Sequence, residues 1–386
     1  MYTAFNYTFY VADVRSMRRR GIELKDLIEE LKEQEAEKKD YICPASSLFI
    51  RPDGEKLTLV MGNNEFSMTD LFHRQLASVL DIPARYYHMM QFNKPKLLAE
   101  NVNAWLSTTN KNYMIRTISG KARAFLSDRY RRIDNLEVVS AVFRAVEDVE
   151  DLEDSDFNLL FGMFTDNRLY LGFVSNRERK CVDDRIRVGF VLSNSEVGLG
   201  AVSIRVLLYT FACSNGMIVG NDYFKERKSH VGLISQNFDK NWEITTITDN
   251  KAFTSKLKDM ILCAMDEASF GKIVDKLAES AKAHITGCVN DVIKAVGKEY
   301  DLRIAEQDEI FKYLLRGRDL SLYGLSNAVT RYSQDVEDHD RAIELEEAGW
   351  KIATMEMEKW EKMNVDSIQH VVTKEIETIK RYEYKH

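Results

Sequence analysis

The chain has 386 residues, 45% of them hydrophobic and 30% charged, with 4 Pro against 18 Gly and a net charge of −7. That apolar share builds a core for one large or two ordinary domains and excludes disordered, collagenous and mucin-like classes. The longest apolar stretch, Val202 to Met217, is broken by Ser203, Arg205, Thr210 and Ser214, so neither a transmembrane helix nor a membrane partner is expected.

Residues 1–40 read as a polar arm or helix: Arg18, Arg19 and Arg20 lead into a Glu/Lys-rich run ending at Asp40. Aromatic residues precede that basic cluster, the reverse of a secretory signal, which fits a cytoplasmic protein. Leu48–Ile50 and Leu57–Val60 flank Arg51-Pro52-Asp53-Gly54, a tight turn between two strands. Thr69, Phe72, Leu76 and Val79 then recur at helical spacing, and Pro83 opens another helix. Tyr113–Ile118 and Lys121–Ser127 form a hairpin about Ser119-Gly120.

Asp134 and Glu137 have capping-box spacing ahead of a helix carrying Leu136, Val139, Phe143 and Val146; the acidic run Glu147–Asp156 reads as the loop that ends it. Phe157–Phe164, Leu169–Val174, Ile186–Leu192 and Val202–Ala212 are β-rich, with Asp166-Asn167 as a turn. From about residue 246 the pattern is helical, and Ile343, Trp350 and Met357 recur every seven residues, with Ala353 and Trp360 offset by three. The fold expected is α+β: a polar arm over 1–40, a mainly antiparallel β-rich body with packed helices over 41–245, and an all-helical region over 246–386.

The charge is uneven. Residues 1–134 carry +4, 135–156 carry −7, 157–242 carry +3 and 243–386 carry −7. A polyanion responds to the local field more than to the total, so the basic segments matter. Segment 111–132 holds seven basic residues against Asp128 alone. With a regular hairpin, Arg116 faces Arg123 on one side with Met114, Ile118, Lys121 and Phe125; Tyr113, Ile115, Thr117, Ala122, Ala124 and Leu126 take the core side. Like charges directly opposite are unfavourable unless carboxylates elsewhere or a bound anion neutralise them. Cations interleaved with aromatic rings suit single-stranded nucleic acid, so Arg116, Lys121, Arg123, Phe125, Arg129, Tyr130, Arg131 and Arg132 are the candidate binding residues.

Other constellations are weaker. Five cysteines, odd in number and far apart, fit reduced thiols, and the seven histidines share no repeated ligand spacing, so no cofactor or metal is expected. Asn215-Gly216 reads as a turn, and Cys213 as a structural residue before a nucleophile. Asp183-Asp184 and Asp338-His339-Asp340 are isolated oxygen donors that leave a metal nuclease as an alternative.

The run from Arg123 to Asn135, Arg-Ala-Phe-Leu-Ser-Asp-Arg-Tyr-Arg-Arg-Ile-Asp-Asn, resembles the signature of the DUF932 family of phage/plasmid-like proteins. Phe211–Met217, with its Cys-Ser-Asn-Gly, is similar to a second family segment, preceded by Ser195, Gly198 and Gly200; Tyr323–Tyr332, with Asn327-Ala328-Val329-Thr330, is similar to a third. The resemblance spans residues 45–335 and implies a mobile-element origin in a bacterial or phage-infected cytoplasm; it supplies no established activity. The leading expectation is a non-catalytic protein acting on single-stranded nucleic acid, chiefly DNA, in recombination, annealing or protection, with self-assembly into a homo-oligomer through the C-terminal helices. The alternatives are a protein–protein module, such as an inhibitor of a host defence protein, and a metal-dependent enzyme acting on nucleic acid or nucleotides.

Overall fold

The computed structural model describes residues 24–364 apart from 55, 131, 154–156, 183, 201, 211–214 and 220–244. Arg18–Arg20, Arg131, Asp183, Cys213 and Ser214 thus lie outside the described residues. The fold is α+β, with two mostly antiparallel sheets followed by an all-helical region.

Turn chemistry sets up the first sheet. Gly54, at φ +62°, closes the turn between β2 (Leu48–Asp53) and β3 (Lys56–Met61), and β3 returns to β4 (Asn64–Met68) through Gly62, at φ +57°. With β1 (Lys39–Pro44), β5 (Asn112–Ile118) and β6 (Lys121–Ser127) they form a six-stranded sheet in the order β1-β5-β6-β4-β3-β2. The β4–β6 pairing is parallel, Ser67 lying opposite Lys121. Thr69 accepts a hydrogen bond from the Phe72 N–H and so caps α2 (Asp70–Val79). α3 (Ala84–Asn93) and α4 (Pro95–Thr108) follow, and the three helices pack Phe72, Leu76, Met90, Leu98 and Val102 against Ile50, Leu59, Ile115 and Phe125 of the sheet.

The β5–β6 hairpin departs from the regular pairing. Thr117 lies opposite Ala122 as expected, but Arg116 lies opposite Ala124, so Arg123 is the extra residue of a bulge. Past the bulge every β6 side chain changes face, because strand side chains alternate with period two. Phe125 therefore joins the core with Tyr113 and Ile115, while Ala124 and Leu126 pack with Met114 on the other side.

The second sheet is a meander of β7 (Phe157–Phe164), β8 (Leu169–Cys181), β9 (Asp184–Asn194), β10 (Ser203–Thr210) and β11 (Asn215–Ile218). The Thr165 hydroxyl accepts from the N–H groups of Asn167 and Arg168 and fixes the β7–β8 turn. One face buries Leu171, Phe173, Phe190 and Val206 under α1 (Leu24–Glu37), α5 (Asn135–Glu153) and α6 (Thr245–Ala264). The expected acidic loop is instead helical through Glu153: Val146 and Val149 extend the buried stripe, which holds the last turns despite their charge.

Of the C-terminal helices, α7 (Glu267–Lys282) adds Ile273 and Leu277 to the core beneath the second sheet, while α8 (Val289–Glu299), α9 (Ile304–Gly317), α10 (Leu322–Tyr332) and α11 (His339–Ala353) enclose a further core around Leu314, Leu325, Val329 and Leu345. α11 ends at Ala353, so Met357, in the next helix over 357–364, is not on the expected heptad. Ile343 packs instead with Val191, Leu207 and Ile218 on the second sheet, and Trp350 joins the core beneath the sheet's other face. The Ile343–Trp350 stripe is thus consumed within the chain.

Candidate functional site

Two of the motif segments meet at a cluster of charges between the sheets. Arg116, 4% exposed on β5, donates through Nε to Asp40 at 2.9 Å and through Nη2 to Asp134 at 2.7 Å. Its Nη1 donates to the Glu196 carbonyl at 2.9 Å. The Glu196 carboxylate accepts from Lys38 Nζ at 2.5 Å, the Asn135 N–H at 2.7 Å and Arg123 Nη1 at 3.2 Å. Burial disfavours charge on Arg116, but Asp134 and Asp40 outweigh it and hold the guanidinium more firmly protonated than an ordinary arginine.

The 195–200 segment is shaped to fit this cluster. Gly198, at φ +82°, sits so close to β6 that a Cβ there would lie 2.6 Å from Leu126 Cδ2. The Ser195 hydroxyl donates to the Asn167 carbonyl at 2.9 Å and accepts from the Leu199 N–H at 3.1 Å. The Tyr130 hydroxyl donates to the Ser195 carbonyl at 3.1 Å, and burial pushes its phenol above the usual range. The Arg123–Asn135 and Ser195–Gly200 motifs are therefore two halves of one clasp.

The expected binding residues divide accordingly. Arg116 and Phe125 are buried, and neither reaches solvent: carboxylates neutralise the first, and the bulge turns the second into the core between Phe72 and Tyr113. Arg123 is mostly buried, its Nη2 donating to the Asp166 carbonyl at 3.1 Å. Arg132 pairs with Asp40 at 3.0 Å. Lys121 and Arg129 are exposed at opposite ends of β6, and Tyr130 is half-buried. Among the described residues the hairpin thus does not assemble one open cationic and aromatic face.

Asp338 and Asp340 are likewise in structural use. Asp338 caps α11 by accepting from the Arg341 N–H, and Asp340 accepts from the Tyr170 hydroxyl at 2.8 Å. Among the described residues no group of three or more His, Cys, Asp or Glu is placed to hold a metal ion.

An open aromatic face lies elsewhere, on the α3–α4 corner. Tyr87 and Met90 bury one side of α3, leaving Tyr86, Met89 and Phe92 at i, i+3 and i+6 in solvent. Phe92 is 67% exposed and meets the His88 ring at 4.7 Å. On α4, Leu98, Val102 and Leu106 are buried while Leu97 and Trp105 are exposed. Arg85, His88, Lys94 and Lys96 are all exposed on this corner, and no acidic residue occurs from Ile82 to Ala99. Sequence carries that signal in the acid-free run and in the aromatic spacing, which a reading drawn to the arginines of 111–132 passes over.

Among the described residues no helix is long and apolar enough to cross a membrane. No curated protein and no solved structure matches the chain. Residues 124–369 match the family described as Domain of unknown function (DUF932), a segment that takes in Asp134, Asn135 and Glu196 of the clasp, the five-stranded sheet and the C-terminal helices, and begins after the α3–α4 corner, Arg116 and Arg123. With well over half its length matched, the chain belongs to the DUF932 family.

Proposed function

We propose that the protein binds single-stranded nucleic acid without catalysis, in recombination, annealing or protection, in the bacterial cytoplasm occupied by a phage or other mobile element. The binding surface is the α3–α4 corner rather than the β5–β6 hairpin. The observation that supports this is the acid-free run 82–99, with Arg85, Lys94 and Lys96 exposed beside outward Tyr86 and Phe92. Cations there neutralise phosphates and release counterions, while each ring accepts a stacked base worth about 1–3 kcal/mol. A duplex keeps its base faces stacked on one another, so rings on a helix surface favour unpaired strands.

Fluorescence anisotropy with labelled single-stranded DNA, single-stranded RNA and duplex DNA tests this across a salt series. Single strands should bind with a log-affinity slope of about −2, reflecting the three cations at about −0.7 per phosphate contact. Phe92→Ala and Tyr86→Ala should each weaken binding about tenfold, and a Lys94→Ala/Lys96→Ala double variant should flatten the slope. No binding below about 10 μM at 50 mM salt, a typical weak non-specific range, would sink the reading.

Met89 and Leu97 favour the rival, a protein partner such as a host defence component, since exposed aliphatic side chains contribute packing but no stacking. Under that reading the aromatic variants lose the partner while oligonucleotides never compete.

A further inference from the structure

The helices α2, α3 and α4 cover one face of the six-stranded sheet, and the 195–200 segment covers the β5–β6 half of the other. Among the described residues no element covers the β2–β3–β4 half of that second face. It is built from two rows: Phe49 opposite Val60 opposite Glu65, and Arg51 opposite Thr58 opposite Ser67. Phe49 is 51% exposed. Beside it Arg51 and Glu65 form a two-pronged ion pair, both N–O distances 2.6 Å, and Asp53 lies opposite Lys56.

Two features restrict what this face accepts. Its charges cancel locally, so it has no net field for a polyanion, and an aromatic anchor within a ring of paired charge is the anatomy of a protein contact. The β2 edge is closed to strand addition at its middle, because the Asn103 carboxamide accepts from the Ile50 N–H at 2.7 Å and donates to the Ile50 carbonyl at 2.8 Å. A partner must therefore come onto the face, not the edge.

We infer that this face pairs with the same face of a second copy of the chain. The pattern is self-complementary. Arg51 and Glu65 sit at opposite corners of the patch, on strands either side of β3. A two-fold axis lying between the sheets and running diagonally across β3 sets Arg51 of each copy over Glu65 of the other. The same axis brings the two Phe49 rings side by side. The strands of the two sheets then cross steeply, one of the two ways in which sheets pack face to face. Six side chains a copy is smaller than the roughly 20–30 residues a side of a standard interface, so the dimer is weak, with a dissociation constant on the order of 10–100 μM. The inference is independent of the nucleic-acid reading, which uses the opposite, helical side.

Sedimentation velocity on the nuclease-treated full chain, from about 1 to 200 μM to bracket that affinity, tests it. The mass should rise from 44.7 kDa toward twice that value with concentration. Phe49→Glu and Arg51→Glu should each keep the chain monomeric throughout, with melting curves by circular dichroism checking the fold. The Arg51→Glu/Glu65→Arg double variant restores the alternation with signs exchanged and should recover the dimer. A monomer at every concentration, a dimer that survives Phe49→Glu, or a double variant that stays monomeric while folded would overturn the inference.

Discussion

Arg116 and Glu196, 80 residues apart, are joined by a 2.9 Å hydrogen bond from guanidinium to backbone carbonyl, while the Glu196 carboxylate, 1% exposed, gathers Lys38, Arg123 and the Asn135 N–H. One residue of the 195–200 segment thus holds β5 through its main chain and β6 and the start of α5 through its side chain. Removing one partner from a buried ion pair leaves an uncompensated charge and costs about 3–5 kcal/mol. Glu196→Gln and Arg116→Ala should both lower stability on that scale in urea unfolding. An Arg116→Ala variant as stable as the parent would return Arg116 to the solvent-facing role expected from sequence.

His73 makes stability depend on acidity. Its Nδ1 lies 2.9 Å from the Tyr87 hydroxyl between α2 and α3, and burial lowers its pKa from 6.5 to about 4, with Asp70 opposing. The unfolded chain takes up the proton first, so stability is full above about pH 6.5 and falls as the pH drops toward 4, by about 3 kcal/mol for this group. His73→Gln, which keeps a polar partner for Tyr87, should flatten that part of a pH–stability curve. An unchanged slope would assign the acid sensitivity to carboxylates.

Asn103 should protect the β2 edge. Asn103→Ala strands the N–H and carbonyl of the buried Ile50, at a cost of about 1–3 kcal/mol. The uncovered edge also invites strand pairing between chains, so static light scattering on warming should rise earlier than for the parent. Equal melting and scattering would mean water replaces the carboxamide without penalty.

Close packing in the helical region rests on Gly349. A Cβ there would lie 2.3 Å from Thr330 Cγ2, and the Ser326 hydroxyl donates to the Gly349 carbonyl at 2.7 Å. Gly349→Ala should destabilise by about 1–3 kcal/mol through overpacking. Thr330→Ser removes the obstructing methyl, so the double variant should recover part of that loss, read as a positive coupling in a double-mutant cycle. Additive effects would place the strain elsewhere.

Local chemistry was readable from the chain alone. Pro52 to Gly54, Ser119-Gly120 and Asp166-Asn167 mark turns because positive φ or a side-chain cap is a property of a few adjacent residues. The β-rich runs from Phe157 to Thr210 and the helical tail follow from periodicity, which needs no knowledge of partners. Family membership was legible for the same reason, in contiguous motifs. Tertiary structure alone decided which arginines are available. A one-residue bulge at Arg123 reverses the side chains beyond it, and the covering elements on each face of the sheet determine which reversal is stable. The carboxylates that neutralise Arg116 come from positions 40 and 134, on β1 and just ahead of α5, and meet it only because the β1–β5 pairing and the 195–200 segment close around one point. Charge counted along a sequence records how many cations there are; which of them face water depends on contacts between residues tens of positions apart, and those are made only when the two sheets come together.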